Sequence, residues 1–126
     1  MSFYPTAALV TIATPQFDRL VTFYAQLLNQ QPVTFQPNRY AEFRLPGLTL
    51  GIFRPKSTVA VDSQTGFSPR GMAICLKVGN LAGAIDHLTQ LGYSPPGDRM
   101  TASHGQEIYA FDPDGNWLIL HQGVGE

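Results

Sequence analysis

The side chains in this sequence that could do chemistry are few. Cys75 is the only cysteine, and the three histidines are His87, His104 and His121. A thiol beside an imidazole is either an activated nucleophile or half of a soft metal site, and Cys75 with His121 is the pair open to both. The plain alternative is a buried, inert cysteine and a histidine near the rim. Glu42 and Glu107 are the carboxylates that fall inside predicted strands, so either could act as a general acid or base if it faces a bound substrate. Arg44 and Lys77 could meet an anionic ligand. Phe53, Tyr109 and Trp117 could stack on a planar molecule or simply fill a core. His87, on the polar side of a predicted helix, and His104, in a loop, read as solvated.

The composition narrows what such groups could serve. With 126 residues and 44% hydrophobic content, the chain is long enough for one packed domain or for two small modules. Only 13% of residues are charged and the net charge is −1, so no basic surface for nucleic acid is expected. A single cysteine allows no internal disulfide, which fits a cytoplasmic protein. Met1 to Pro5 lacks a basic flank leading into an apolar run, and no stretch of about 18 apolar residues occurs, so neither a signal peptide nor a membrane span is expected.

Elements that would position these groups can be read from periodicity and turn chemistry. Ala8 to Ala13 is a short β-branched run and predicts a strand. Thr14-Pro15 then offers a capping hydroxyl before a proline at the first helical position, with Asp18 in the first turn. Phe17, Leu20, Val21, Tyr24, Leu27 and Leu28 form the apolar stripe of that helix. Val33 to Gln36, Tyr40 to Leu45 and Leu48 to Phe53 predict three strands, the last two joined at Pro46-Gly47. Arg54 to Arg70 reads as a connection, either a surface loop or a lid carrying Phe67. Met72 to Val78 predicts another strand. Asn80 caps a second helix with the stripe Leu81, Ala84, Ile85, Leu88 and Leu91, which Gly92 ends. Pro95-Pro96 leaves room for at most a short edge strand before Gly105. Glu107 to Gln122 predicts a hairpin whose tip, Asp112-Pro113-Asp114-Gly115-Asn116, is built from turn residues.

The second half repeats the first. Phe17, Val21, Tyr24 and Leu27 fall on Leu81, Ile85, Leu88 and Leu91 at a shift of 64, and Pro46-Gly47 falls on Asp114-Gly115 at a shift of 68. The chain is therefore read as α+β, two tandem β-α-β-β-β modules in one domain over residues 1–126. Module 1 spans about 6–53, the connection 54–70 and module 2 about 71–122.

This duplication, with the apolar strand, Asp-Pro-Asp-Gly-Asn and second apolar strand near its end, resembles the glyoxalase, bleomycin-resistance and dioxygenase superfamily, the vicinal oxygen chelate fold. Val10 to Ala13 before a helix bearing Phe23-Tyr24, and Val78-Gly79-Asn80-Leu81 before Ala84-Ile85, are similar to that family's strand-to-helix passages. The resemblance implies sheets curved into an open β-cup, and in many members a homodimer. It also implies a divalent ion held by one side chain from the first and last strand of each module. Carried across, those positions are Leu9, Gly51, Ala73 and Ile119, none of which has a lone pair to give. A metal-free version is therefore expected, with the chemistry of a Lewis acid missing from its usual place.

Strand alternation then lines the cup with Thr11, Thr49, Phe53, Cys75, Lys77, Trp117 and His121 beside the four former ligand positions. The leading expectation is binding of a small apolar or planar molecule, with Phe53, Tyr109 and Trp117 as aromatic contacts, as the antibiotic-sequestering branch of the family implies. Two alternatives stand beside it. One is a lyase, isomerase or dioxygenase with relocated metal ligands, such as a divalent ion near Cys75 and His121, or with metal-independent catalysis by Glu42 or Glu107. The other is a protein-interaction module whose cup is filled by Leu9, Ile119 and Trp117.

Overall fold

The structure, a computed structural model, describes residues 8–54 and 72–124. The chain divides into two compact units, Met1–Val61 and Asp62–Glu126, and each holds one helix and one open four-stranded sheet. Unit 1 runs β1 (Val10–Ala13), α1 (Phe17–Leu28), β2 (Thr34–Gln36), β3 (Tyr40–Leu45) and β4 (Leu48–Phe53). Unit 2 runs β5 (Ile74–Lys77), α2 (Leu81–Leu91), β6 (Met100–Ala102), β7 (Gly105–Phe111) and β8 (Trp117–Gly123). The sheet orders are β1-β4-β3-β2 and β5-β8-β7-β6, so the two units share one topology. In each, the first strand runs parallel to the fourth and the remaining neighbours are antiparallel.

The registers make the repeat exact at the ladder level. Thr11 lies opposite Gly51, and Cys75 opposite Ile119. These pairs reproduce the shifts of 64 and 68 found between the two halves of the sequence. Each helix covers one face of its own sheet. In unit 1, Phe17, Leu20, Val21, Phe23 and Tyr24 are buried together with Ile12, Ala41, Phe43, Leu50 and Ile52. In unit 2 the corresponding core is Leu81 and Leu88 with Ile108, Ala110, Leu118 and Leu120. Each fully buried aliphatic or aromatic side chain contributes about 1.5–3 kcal/mol relative to an exposed one.

Local chemistry explains the helix ends. The Asn80 side chain accepts from the Gly83 backbone N–H at 3.1 Å, and the Gln122 side chain accepts from the Leu81 N–H at 2.7 Å, so β8 helps cap α2. Gly92 closes α2 with φ of +97°, a left-handed conformation that glycine takes without a Cβ penalty. Helix α1 departs from expectation: it begins at Phe17, with Gln16 as its cap residue, rather than at Pro15. The reason is long-range. The Thr14 N–H donates to the Phe53 carbonyl at 3.0 Å, which keeps Thr14 tied to β4. Its hydroxyl accepts from the Gln16 N–H at 3.0 Å, closing a turn instead of capping the helix.

Strands β1 and β5 are also shorter than the apolar runs suggested, since Leu9, Ala73 and Val78 lie outside the strands. The hairpin tip follows its composition. Asp112 is fully buried, and its carboxylate accepts from the backbone N–H groups of Asp114 and Asn116 at 2.9 and 2.8 Å and from the Asn116 side-chain amide at 2.7 Å. Gly115 supplies the positive φ of +83° that the turn needs. Among the described residues no helix is long and apolar enough to cross a membrane. The suggested lid residue Phe67 lies outside the described residues.

Candidate functional site

Because strand side chains alternate, each sheet has a helix-covered face and an opposite, helix-free face. On unit 1 the helix-free face carries Thr11, Tyr40, Glu42, Arg44, Thr49, Gly51 and Phe53. On unit 2 it carries Cys75, Lys77, Glu107, Tyr109, Trp117, Ile119 and His121, as the registers require. Thus every predicted site residue that belongs to a strand falls on one of these two faces. Leu9 and Ala73 precede their strands, and Leu9 is exposed.

The unit 1 face is organised around Gly51. A Cβ at this position would stand 2.9 Å from the Tyr40 hydroxyl oxygen and 3.2 Å from the Thr11 methyl group, so the Tyr40 ring already fills the space that a side chain at residue 51 would need. The Tyr40 hydroxyl donates to Glu42 Oε1 at 2.8 Å. Burial, then the hydrogen bond and negative charge of Glu42, push the Tyr40 hydroxyl above the usual tyrosine pKa. Arg44 Nε stands 3.9 Å from the other Glu42 oxygen. The Glu42 carboxylate therefore already has two partners.

The unit 2 face has two parts. At one end Tyr109 and Trp117 meet edge to face, with ring centroids 5.3 Å apart and planes at 87°. Tyr109 is 40% exposed, whereas the Trp117 indole nitrogen is buried and has no hydrogen-bond partner. At the other end Glu107 and His121 are register partners, and His121 Nδ1 lies 3.3 Å from Glu107 Oε2. His104 joins them from the turn between β6 and β7, its Nε2 3.9 Å from the same carboxylate oxygen and its ring stacked on His121 at 5.2 Å. Cys75 is exposed and lies opposite Ile119, not His121.

Reasoning from the sequence singled out Glu107 and His121 separately and left His104 as a solvated loop residue. The signal that could have joined them is the two-residue turn Ser103-His104, which the strand pair Ala102 and Gly105 closes. The sequence reading also passed over a cavity of about 470 Å³ in unit 2, lined by Gly92, Tyr93, Ser94, Pro96, Phe111 and Asp112. This cavity lies four residues from Glu107 along β7, roughly 13 Å away. Its one carboxylate, Asp112, is committed to the hairpin tip.

Residues 6–120 match the family model of the glyoxalase/bleomycin resistance protein/dioxygenase superfamily. The chain belongs to this superfamily. A glyoxalase-related enzyme from Fulvimarina pelagi shares its fold with a TM-score of 0.74 at 21% identity, over 95% of this chain and 89% of that one. Lactoylglutathione lyase from Agrobacterium tumefaciens superposes with a TM-score of 0.68 at 17% identity, over 97% and 98%. A mutant of the fosfomycin resistance protein FosX from Listeria monocytogenes, in complex with Mn(II) and 1S,2S-dihydroxypropylphosphonic acid, gives 0.72 at 17% identity, over 98% and 94%. At these identities the likeness shows the fold. A comparison with curated protein sequences finds no match.

A superfamily member of this kind would be expected to hold a divalent ion at Leu9, Gly51, Ala73 and Ile119. The residues present do not fit one. Three are aliphatic, the fourth has no side chain, and the Tyr40 ring occupies the room beside it.

Proposed function

We propose that this superfamily member binds a small, largely apolar or planar molecule on the helix-free face of the unit 2 sheet. The reading is carried by the Tyr109 and Trp117 pair: an exposed ring set edge-on to an indole whose buried N–H has no partner. Leaving a buried donor unpaired costs about 1–3 kcal/mol. A planar ligand would stack on the exposed Tyr109 ring, and an acceptor on it would meet the indole N–H only after the Trp117 side chain turns outward. Ile119, the half-buried neighbour of both in the ladder, supplies an apolar floor. Phe53 offers similar apolar chemistry on the unit 1 face.

Trp117 is the only tryptophan, so its emission reports this face directly. Titration with anilinonaphthalene sulfonate and a panel of planar heteroaromatic compounds should give saturable one-to-one quenching that Tyr109→Ala weakens about tenfold, equivalent to ~1.4 kcal/mol. Quenching that does not saturate, or that Tyr109→Ala leaves unchanged, would rule the reading out.

A second reading is enzymatic. It is favoured by the contact of Glu107 with His121, a carboxylate and imidazole within proton-transfer reach on the same face as the aromatic pair. In this reading Glu107 removes a proton from a bound substrate, as a metal-independent isomerase or lyase would require. Glu42 serves it less well, because Tyr40 and Arg44 already engage its oxygens.

A further inference from the structure

We propose that His104, Glu107 and His121 form a binding site for one divalent transition-metal ion, displaced from the positions the superfamily uses. Each residue offers one ligand atom, and these atoms all lie within 4.8 Å of one another. Zinc holds nitrogen and oxygen ligands at about 2.0–2.2 Å, which places two ligand atoms of a tetrahedral site roughly 3.3 Å apart. His121 Nδ1 and Glu107 Oε2 already stand at 3.3 Å. His104 Nε2 is 3.9 Å from the same oxygen, and the three ligand atoms span up to 4.8 Å. The His104 ring lies within 10° of parallel to that of His121, so His104 has to move by up to about 1.5 Å and tilt its ring. Its side chain is 61% exposed on a two-residue turn, and the contact that this movement gives up is its stacking on His121.

The framework behind the three groups is specific. Glu107 and His121 are held by the β7 and β8 register, with side chains only 26% and 14% exposed. Gly105 brings the His104 turn close: it pairs with Gly123 at φ of +135°, and any Cβ there would run into the Gln122 carbonyl. Two imidazoles and one carboxylate are the donor set of open zinc sites and of non-haem iron sites, and three protein ligands leave a coordination position free. Relative to Ile119, the family's position on β8, His121 lies one same-face step further, about 7 Å along the strand. The sheet register thus offers a replacement donor where the original is lost. Lys77, opposite His121 on β5, is the cation nearest in the ladder, and an anionic fourth ligand would offset its charge.

The inference is independent of the proposed ligand site, because its test uses the metal alone. Untagged protein stripped with a chelator is titrated with zinc chloride by calorimetry, and with cobalt chloride while d–d absorption is followed. One equivalent should bind, with cobalt bands of the intensity expected for four or five ligands. His104→Ala and Glu107→Gln should each lower the association constant at least ~100-fold, since losing even a residue that only hydrogen-bonds to a ligand costs about 10–100-fold. Cys75→Ser and His87→Ala should leave it unchanged. His104→Ala changes an exposed turn residue, so its fold can be verified by circular dichroism and the comparison stands. Absence of saturable one-to-one binding, equal affinity in His104→Ala, or loss of binding in Cys75→Ser would each overturn the assignment. Stoichiometric metal at Glu107 would also exclude its role as a free base.

Discussion

The claim that Tyr40 occupies the space of a lost ligand can be tested by giving residue 51 a side chain. In Gly51→Ala the new methyl group would lie 2.9 Å from the Tyr40 hydroxyl oxygen, 3.1 Å from its ring carbon Cε1 and 3.2 Å from the Thr11 methyl. Two of these contacts belong to one stiff ring, so the ring must swing away as a unit. Swinging it strains or breaks the 2.8 Å hydrogen bond to Glu42, and such a bond to a charged group is worth about 1.5–3 kcal/mol. Against this, replacing a strand glycine with alanine gains roughly 0.5–1 kcal/mol in backbone entropy. The net expectation is a loss of about 1–2 kcal/mol, read as a shift in urea midpoint with unchanged slope. In the Tyr40→Phe background the hydrogen bond is already gone, so the same substitution should cost about 1.5–3 kcal/mol less. The double-mutant cycle therefore isolates the Tyr40 term. If Gly51→Ala is neutral or stabilising in the wild-type background, or the two changes are additive, Tyr40 does not fill that space.

Two further outcomes follow from side chains already placed. The Tyr40 hydroxyl titrates above the ordinary tyrosine value of 10.0, so its stabilising share is complete below that pH and declines as pH rises through the folded-state value. Tyr40→Phe should flatten the alkaline fall of stability in denaturation measured across that range, and an unchanged profile would contradict the assignment. Asp112→Ala removes three acceptor contacts at the hairpin tip and strands two backbone N–H groups. It should cost about 2–4 kcal/mol in urea denaturation, and a loss below about 1 kcal/mol would mean that solvent replaces the carboxylate.

Much of the fold was legible because its signals are local. The Asp112 to Asn116 tip, the Asn80 cap and the Gly92 stop act over four residues or fewer, and the structure shows them as the residue types require. The duplication was legible because a repeated unit repeats its spacing. The errors lie where a distant strand intervenes, as at Thr14, whose backbone bond to Phe53 moved the start of α1 by two residues.

The candidate site divides in the same way. Amino-acid identity alone established that Leu9, Gly51, Ala73 and Ile119 offer no donor atoms, and alternation alone grouped Trp117, Ile119 and His121 on one face, whereas the β7–β8 register added Tyr109 to it. Tertiary structure alone decided that Tyr40 covers Gly51 and that His104 reaches Glu107 and His121. These contacts depend on hairpin register and on the entry angle of a turn, and a one-residue slip in either would send every such side chain to the opposite face. No local rule sets that choice; the burial of Ile108, Ala110, Leu118 and Leu120 beneath α2 does.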